Sequence, residues 1–166
     1  MPDPAAPELA YPNLVPAPGW TGYRAGTQQR YLPPGTDPRT ARVAIIVSPL
    51  VPRTPRLPPP AELIAEALAA EEKASGVTVI ERIGPRPVRA DAGLPGVSLI
   101  ARVRGATGVE RRIYVMYEDP GCYYGISYLA AEDAYAAHEA EFWKMAGTIR
   151  AVTAPPDGAP FTHYGE

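Results

Sequence analysis

Residues 121–150 read as a strand, a short joint and a helix, and this unit constrains the fold more than any other stretch. In the first part, tyrosine, isoleucine and cysteine side chains occupy every second position, as in a half-buried strand. The residues on this strand face are Cys122, Tyr124, Ile126 and Tyr128. The unit therefore supplies one strand of a sheet and a helix that covers the sheet.

The helical part of the same unit begins after a joint at residues 131–133. Its large apolar side chains recur at spacings of three and four, which predicts one buried stripe along a helix. The residues in the stripe are Tyr135, His138, Phe142, Met145, Ala146 and Ile149.

The remaining strands and a second helix follow from local patterns and from turn residues. Apolar alternation or β-branched runs predict strands over residues 20–25, 27–32, 41–51, 76–83, 97–104 and 109–118. Pro60 at the first turn and Gly76 as the stop predict a helix between them. This order predicts an α+β fold, in which a largely antiparallel sheet is flanked by two main helices. Matching the apolar faces of the strands on either side of residues 105–108 would require an odd loop length there.

Proline divides the chain into three regions. Of 22 prolines, 15 lie in the first 60 positions, and six of these lie in residues 1–19. Residues 1–19 are predicted to be an extended or disordered arm, residues 20–153 a single domain, and residues 154–166 a loose tail. Tyr11, Leu14 and Val15 could pin the arm to a surface, but its composition favours a free arm.

Charge and hydropathy exclude several classes of function. The formal net charge of -2 and the pI near 5.7 argue against a protein dedicated to nucleic acid or anionic membranes, which usually carries a basic excess. No apolar run has the length of a transmembrane helix, and the first residues lack the basic region of a signal peptide. The sequence predicts no nucleic-acid partner, no membrane insertion and a cytoplasmic location.

Residues that could support catalysis or hold a metal are few. Cys122 and His138 are the one possible pair of thiol nucleophile and base, but both fall on predicted buried faces. His138 and His163 could bind a metal with Glu139, Glu141 or Asp157, yet neighbouring positions on a helix diverge. No glycine-rich phosphate loop is present. We therefore expect no catalytic residue, no metal site, no cofactor and no enzymatic activity.

Basic and aromatic residues gather around the predicted hairpin at residues 97–118. Arginine and tyrosine are the residue types that most often dominate protein interfaces. This pattern predicts that a partner strand or helix lies over the aromatic and methionine side chains, with arginines at the rim. The predicted binding residues are Arg102, Arg104, Arg112, Tyr114, Met116 and Tyr123. The alternative is a solvated strand face, on which arginines protect a sheet edge from aggregation.

The order of elements over residues 20–152 resembles the Mog1/PsbP-like α/β/α sandwich. The residues that carry the resemblance are the late strand YYGISYLA, the joint at residues 131–133 and the closing helix that ends in FWKMAGTIR. The resemblance implies a binding fold without shared catalytic machinery. Relatives include a Ran-binding nuclear import factor, a photosystem extrinsic subunit, mycobacterial lipoproteins and bacterial chaperones of secreted effectors. No binding motif of the family is recognisable, so no functional residue is carried over.

These observations predict a non-enzymatic protein-binding or adaptor module with a chaperone-like role for a secreted or assembled partner. The alternative is a structural subunit of a larger bacterial assembly, in which the N-terminal arm ties neighbouring subunits together. Either function requires a protein partner or a second copy of the chain. The bacterial source is inferred from the abundance of alanine, proline and arginine.

Overall fold

One antiparallel sheet carries the fold in the computed structural model, which describes residues 10–152. Its strands are β1 (Thr21–Ala25), β2 (Gln28–Leu32), β3 (Val43–Val47), β4 (Val51–Pro52), β5 (Thr78–Arg89), β6 (Pro95–Gly105), β7 (Gly108–Glu118) and β8 (Cys122–Ala131). The helices are α1 (Pro60–Ser75) and α2 (Tyr135–Gly147), and a short 3₁₀ turn (Glu132–Ala134) precedes α2. The strand order is β1-β2-β3-β8-β7-β6-β5, with β4 paired to β8. The predicted α+β fold is confirmed.

The pairing of β3 with β8 joins the first strands of the chain to the later meander. Val43 lies opposite Ala130, and Ile45 lies opposite Tyr128, in antiparallel register. All residues of β3 are buried, as expected for an apolar β-branched run in the middle of a sheet. The two halves of the sheet therefore share one central pair of strands.

Helix α2 covers one face of the sheet. Of the predicted stripe, Phe142, Met145, Ala146 and Ile149 are almost completely buried, and Tyr135 is also buried. The Tyr128 hydroxyl donates a hydrogen bond of 2.7 Å to the carbonyl oxygen of Tyr135, which fixes the start of the helix over β8. His138 departs from the prediction, because 28% of its side chain is exposed and its Nδ1 pairs with Glu141.

Helix α1 covers the opposite face over β5, β6 and β7. It begins at Pro60 and ends before Gly76, which adopts a φ of 67°, as predicted. Ile64 and Leu68 pack with Leu99 and neighbouring residues of β6 in a second apolar cluster. Each face of the sheet therefore packs against one helix, and the strands carry apolar side chains on both faces.

The turn between β6 and β7 sets which residues reach each helix. Gly105 pairs with Gly108, so only two residues form the turn and the odd loop length does not occur. This register places Leu99 opposite Tyr114 and Ala101 opposite Arg112, on the face that α1 covers. Because helices cover both faces, the apolar residues of the two strands did not need to match on one face.

Strand β5 is longer than predicted. It runs to Arg89, through the stretch that proline and glycine indicated as a connection. Register shifts interrupt its pairing with β6, and Pro85 and Pro87 lie within it. An edge strand tolerates prolines, because one of its sides needs no hydrogen-bond partner.

The described part of the arm packs against the domain, contrary to the expected free arm. Tyr11 and Ala17 are buried, the Tyr11 hydroxyl donates to the Thr27 carbonyl at 2.9 Å, and Asn13 bridges to Arg150. Packed chain therefore begins before residue 20, although Val15 is 58% exposed. Residues 1–9 and the predicted tail at 154–166 lie outside the described residues. Within residues 10–152, no helix combines the length and apolar character needed to cross a bilayer.

Candidate functional site

An open groove lies beside α1, on the same face of the sheet. Helix α1 packs mainly over β5, β6 and β7, and β2, β3 and β8 lie beside it on that face. The resulting groove has a volume of about 420 Å³. We call it the α1 groove, and its main lining residues are Arg30, Ile46, Leu63, Glu71, Tyr114, Met116, Ser127 and Leu129.

The groove continues along the sheet into a second recess of about 320 Å³. The two share Arg30 and Leu129, and the second recess extends to Ala44, Glu110 and Ala131. From Gly125 to Ala131 the floor follows six steps of β8, which corresponds to roughly 20 Å of extended strand. The site is thus long and open rather than a closed pocket.

Two small residues of β8, Gly125 and Ser127, leave space above the sheet in the groove. The Tyr124, Ile126 and Tyr128 side chains point to α2, so the alternate residues Gly125, Ser127 and Leu129 lie on the groove side. A Cβ atom added at Gly125 would meet the Ser48 and Met116 side chains only at ordinary distances of 3.7–3.8 Å. The alternation that builds the α2 core therefore also leaves room on the other face.

Arg112 is buried between α1 and the sheet, where it contacts residues that line the groove and the second recess. Its NH1 lies 2.7 Å from Glu71 of α1, and its NH2 lies 2.7 Å from Glu110. It also donates to the Tyr114 hydroxyl at 3.2 Å. Burial alone would lower the pKa of Arg112, but hydrogen bonds to these neighbours raise it above the ordinary value. Arg112 therefore links α1 to the sheet through ion pairs.

Arg30 of β2 lines both parts of the groove and forms no ion pair among residues 10–152. Its Nε is buried and has no hydrogen-bond partner among residues 10–152. Its neighbour across the strand pair is Ile46 of β3, so the Arg30 side chain leaves the sheet beside an apolar residue of the floor. A buried donor without a partner is unfavourable by about 1–3 kcal/mol, which makes Arg30 unusual among the arginines of this face.

The predicted binding residues do not form one surface. Tyr114 and Met116 reach the α1 groove, but Arg112 is covered rather than exposed at a rim, because the two-residue turn places it under α1. Tyr123 is buried, and its hydroxyl donates to the Pro58 carbonyl at 3.1 Å.

The remaining two arginines lie on the other face of the sheet. Arg102 pairs with Glu132 at 2.7 Å and with Glu81 at 3.3 Å, and Arg104 is exposed. Arg30, Ile46, Ser127 and Leu129 were missed by the sequence prediction. Of these, only Ser127 had a local signal, because it is one of the small residues that alternate with the aromatic residues of β8.

The cysteine and the histidine lie apart from the groove. Cys122 is buried, and burial together with nearby Asp119 raises the pKa of its thiol, which disfavours the nucleophilic thiolate. His138 pairs with Glu141 at 2.6 Å, and Glu141 accepts a hydrogen bond from the Trp20 indole at 2.7 Å. Among the described residues, no group of histidine, cysteine and acidic side chains is arranged to hold a metal ion.

Comparisons with known proteins bear on the fold. Neither a protein-family model nor a curated protein matches the chain. The solution structure of cyanobacterial PsbP (CyanoP) from Synechocystis sp. PCC 6803 matches with a TM-score of 0.58 and 13% identity, over 90% of this chain and 98% of that chain. PA94 from Pseudomonas aeruginosa, a protein of unknown function, matches with a TM-score of 0.47 and 14% identity, over 80% and 96% of the two chains. The first match shows that the fold is PsbP-like, in agreement with the resemblance noted in the sequence.

Proposed function

We propose that the protein is a non-enzymatic binding or adaptor module that holds a segment of a partner protein in the α1 groove. One observation carries the proposal: α1 packs over only part of its face, and beside it the sheet forms an open groove in which Ser127 and Leu129 are half-buried and Ile46 is buried. Binding sites are typically concave, largely apolar and equipped with a few polar groups that fix orientation.

The shape and lining of the groove favour a protein segment. Leu63 of α1 forms one wall, and Ile46 and Leu129 lie on the floor, so apolar side chains of a bound chain would be covered from two directions. The two recesses follow the sheet for roughly the length of a short peptide in extended form. A strand or an amphipathic helix would bury apolar surface there without disturbing the sheet, and holding such a segment fits a chaperone-like role.

A groove-filling variant tests the proposal with a defined probe. A library of short random peptides is selected on the immobilised protein, and the affinities of recovered peptides are measured for the purified variants. Ser127→Trp places a large side chain on the groove floor, and Thr78→Trp places the same side chain on the exposed edge strand β5 as a matched control.

The proposal predicts that Ser127→Trp abolishes binding of most recovered peptides, whereas Thr78→Trp leaves their affinity unchanged. Thermal unfolding of both variants checks that the fold is retained. Peptides that bind equally well to both variants would place the binding surface elsewhere and would refute the proposal.

The alternative, a structural subunit that uses its N-terminal arm, stays a prediction, as does the cytoplasmic location. Residues 10–18 contribute Tyr11 and Ala17 to their own domain. Deleting residues 1–9 therefore tests the alternative without disturbing this packing. A multimeric full chain and a monomeric deletion variant in mass measurements would favour it, and equal masses would oppose it.

A further inference from the structure

We infer that the segment held in the α1 groove carries a carboxylate, from an acidic side chain or a chain end, that pairs with Arg30. The inference rests on the proposed binding function and names the chemistry of its partner. It starts from the position of Arg30, which lines both recesses of the groove. A segment that runs along both recesses would pass the Arg30 side chain.

The charges around the groove leave Arg30 as the cation that a partner can pair with. Arg112 on the same face is already held by Glu71 and Glu110, each at 2.7 Å. Arg42, beside the second recess, pairs with Asp133. Arg30 has no acidic partner within the described residues, and its buried Nε has no acceptor there. Both acids that line the groove contact Arg112, so Arg30 is the groove arginine that has no acidic partner among residues 10–152.

The geometry of a guanidinium favours a carboxylate over other acceptors. Its parallel N–H groups match the two oxygens of a carboxylate, and such charge-assisted pairs are about twice as strong as neutral hydrogen bonds. A bound segment that covers Arg30 beside Ile46 and Leu129 would exclude water from the pair, which strengthens it further. Apolar neighbours on the same bound segment would cover this floor. The expected segment is therefore apolar with an acidic residue near its middle or at its end.

Peptide selection on matched arginine variants tests the inference. The short random peptide library is selected in parallel on the wild type, on Arg30→Gln, on Arg30→Glu and on Arg104→Gln. Arg104 is the control, because it is exposed in the same sheet but on the other face. Only peptides whose binding Ser127→Trp blocks are counted as groove binders.

We expect groove binders of the wild type and of Arg104→Gln to be enriched in aspartate, glutamate or a free carboxyl end. Arg30→Gln should weaken their affinity about ten-fold or more, and Arg30→Glu should shift the enrichment to lysine and arginine. Groove binders without an acidic bias, or with an affinity indifferent to Arg30, would overturn the inference and leave the proposed function intact. A library that yields no groove binder contradicts the proposed function, and the inference with it.

Discussion

Arg112 offers the sharpest test of how α1 is held on the sheet. Its side chain is 6% exposed, whereas those of Glu71 and Glu110 are 36% and 42% exposed. Removing the acids therefore leaves a buried charge, and removing the arginine leaves two acids that water can reach. We predict that the Glu71→Gln/Glu110→Gln double variant is destabilised by more than the sum of the single variants.

The size of the effect follows from the contacts. In each single variant, the other carboxylate still pairs with Arg112 and the new amide oxygen can accept a hydrogen bond, so the loss is about 1 kcal/mol. In the double variant, the buried guanidinium has no counter-charge, and the loss is about 3–5 kcal/mol. At about 2–4 °C for each kcal/mol, the Tm of the double variant should fall by roughly 10 °C.

Urea unfolding followed by circular dichroism measures the free energy of unfolding for each variant. Glu66→Gln on the exposed side of α1 is the control and should change it by less than about 0.5 kcal/mol. Adding Arg112→Met to the double variant removes the uncompensated charge and should restore part of the loss. A double variant whose loss equals the sum of two small single losses would refute the reasoning and show that Arg112 is hydrated.

Three further predictions concern the core and the α2 face. Gly96→Ala should lower the free energy of unfolding by about 2 kcal/mol in urea titrations, since the new Cβ would lie 2.5 Å from a carbonyl oxygen of β7. Gly125→Ala should leave the free energy of unfolding unchanged or raise it by up to about 1 kcal/mol, because the new Cβ has room. Equal effects of the two substitutions would contradict this prediction. Hydrogen bonds from His138 and from an indole lower the pKa of Glu141 below its ordinary 4.5, so this carboxylate stabilises the fold above pH 4.5 and the benefit is lost as the pH falls through its folded pKa. The Tm of the wild type should therefore fall more steeply below pH 4.5 than that of Glu141→Gln, and parallel curves would refute the assignment. Cys122 should react with a thiol reagent at neutral pH much more slowly in the folded than in the urea-unfolded protein, because it is buried and its pKa is raised; equal rates would show an accessible thiol.

The sequence predicted the parts of the fold that depend on local periodicity. The α2 stripe from Tyr135 to Ile149 and the Pro60 and Gly76 boundaries of α1 follow from spacing and from backbone preference, and the structure confirms them except at His138. Local periodicity did not show which faces of the strands β5 to β8 lie on the same side of the sheet. A pattern of alternation gives two faces for each strand but does not give the number of turn residues that relates one strand to the next.

The number of residues in the turn between β6 and β7 determines which predicted binding residues share a face of the sheet. With two turn residues, Arg112 lies under α1 and Arg102 lies on the other face, so the predicted cluster of arginines is divided. The position of Arg30 depends on a different long-range fact, the pairing of β2 with β3, which places it opposite Ile46. No local signal specifies which strands a helix leaves uncovered, because that depends on the packing of the whole sheet.

The most direct test of the binding function is to map where a bound peptide touches the protein. An acidic peptide recovered from the library is titrated into isotope-labelled protein, and backbone amide chemical shifts are followed by NMR. If the peptide binds in the α1 groove, the largest chemical shift changes should fall on Arg30, Ile46, Ser127 and Leu129. Changes centred on Arg102 and Arg104, or on the buried tyrosines of the α2 face, would contradict it.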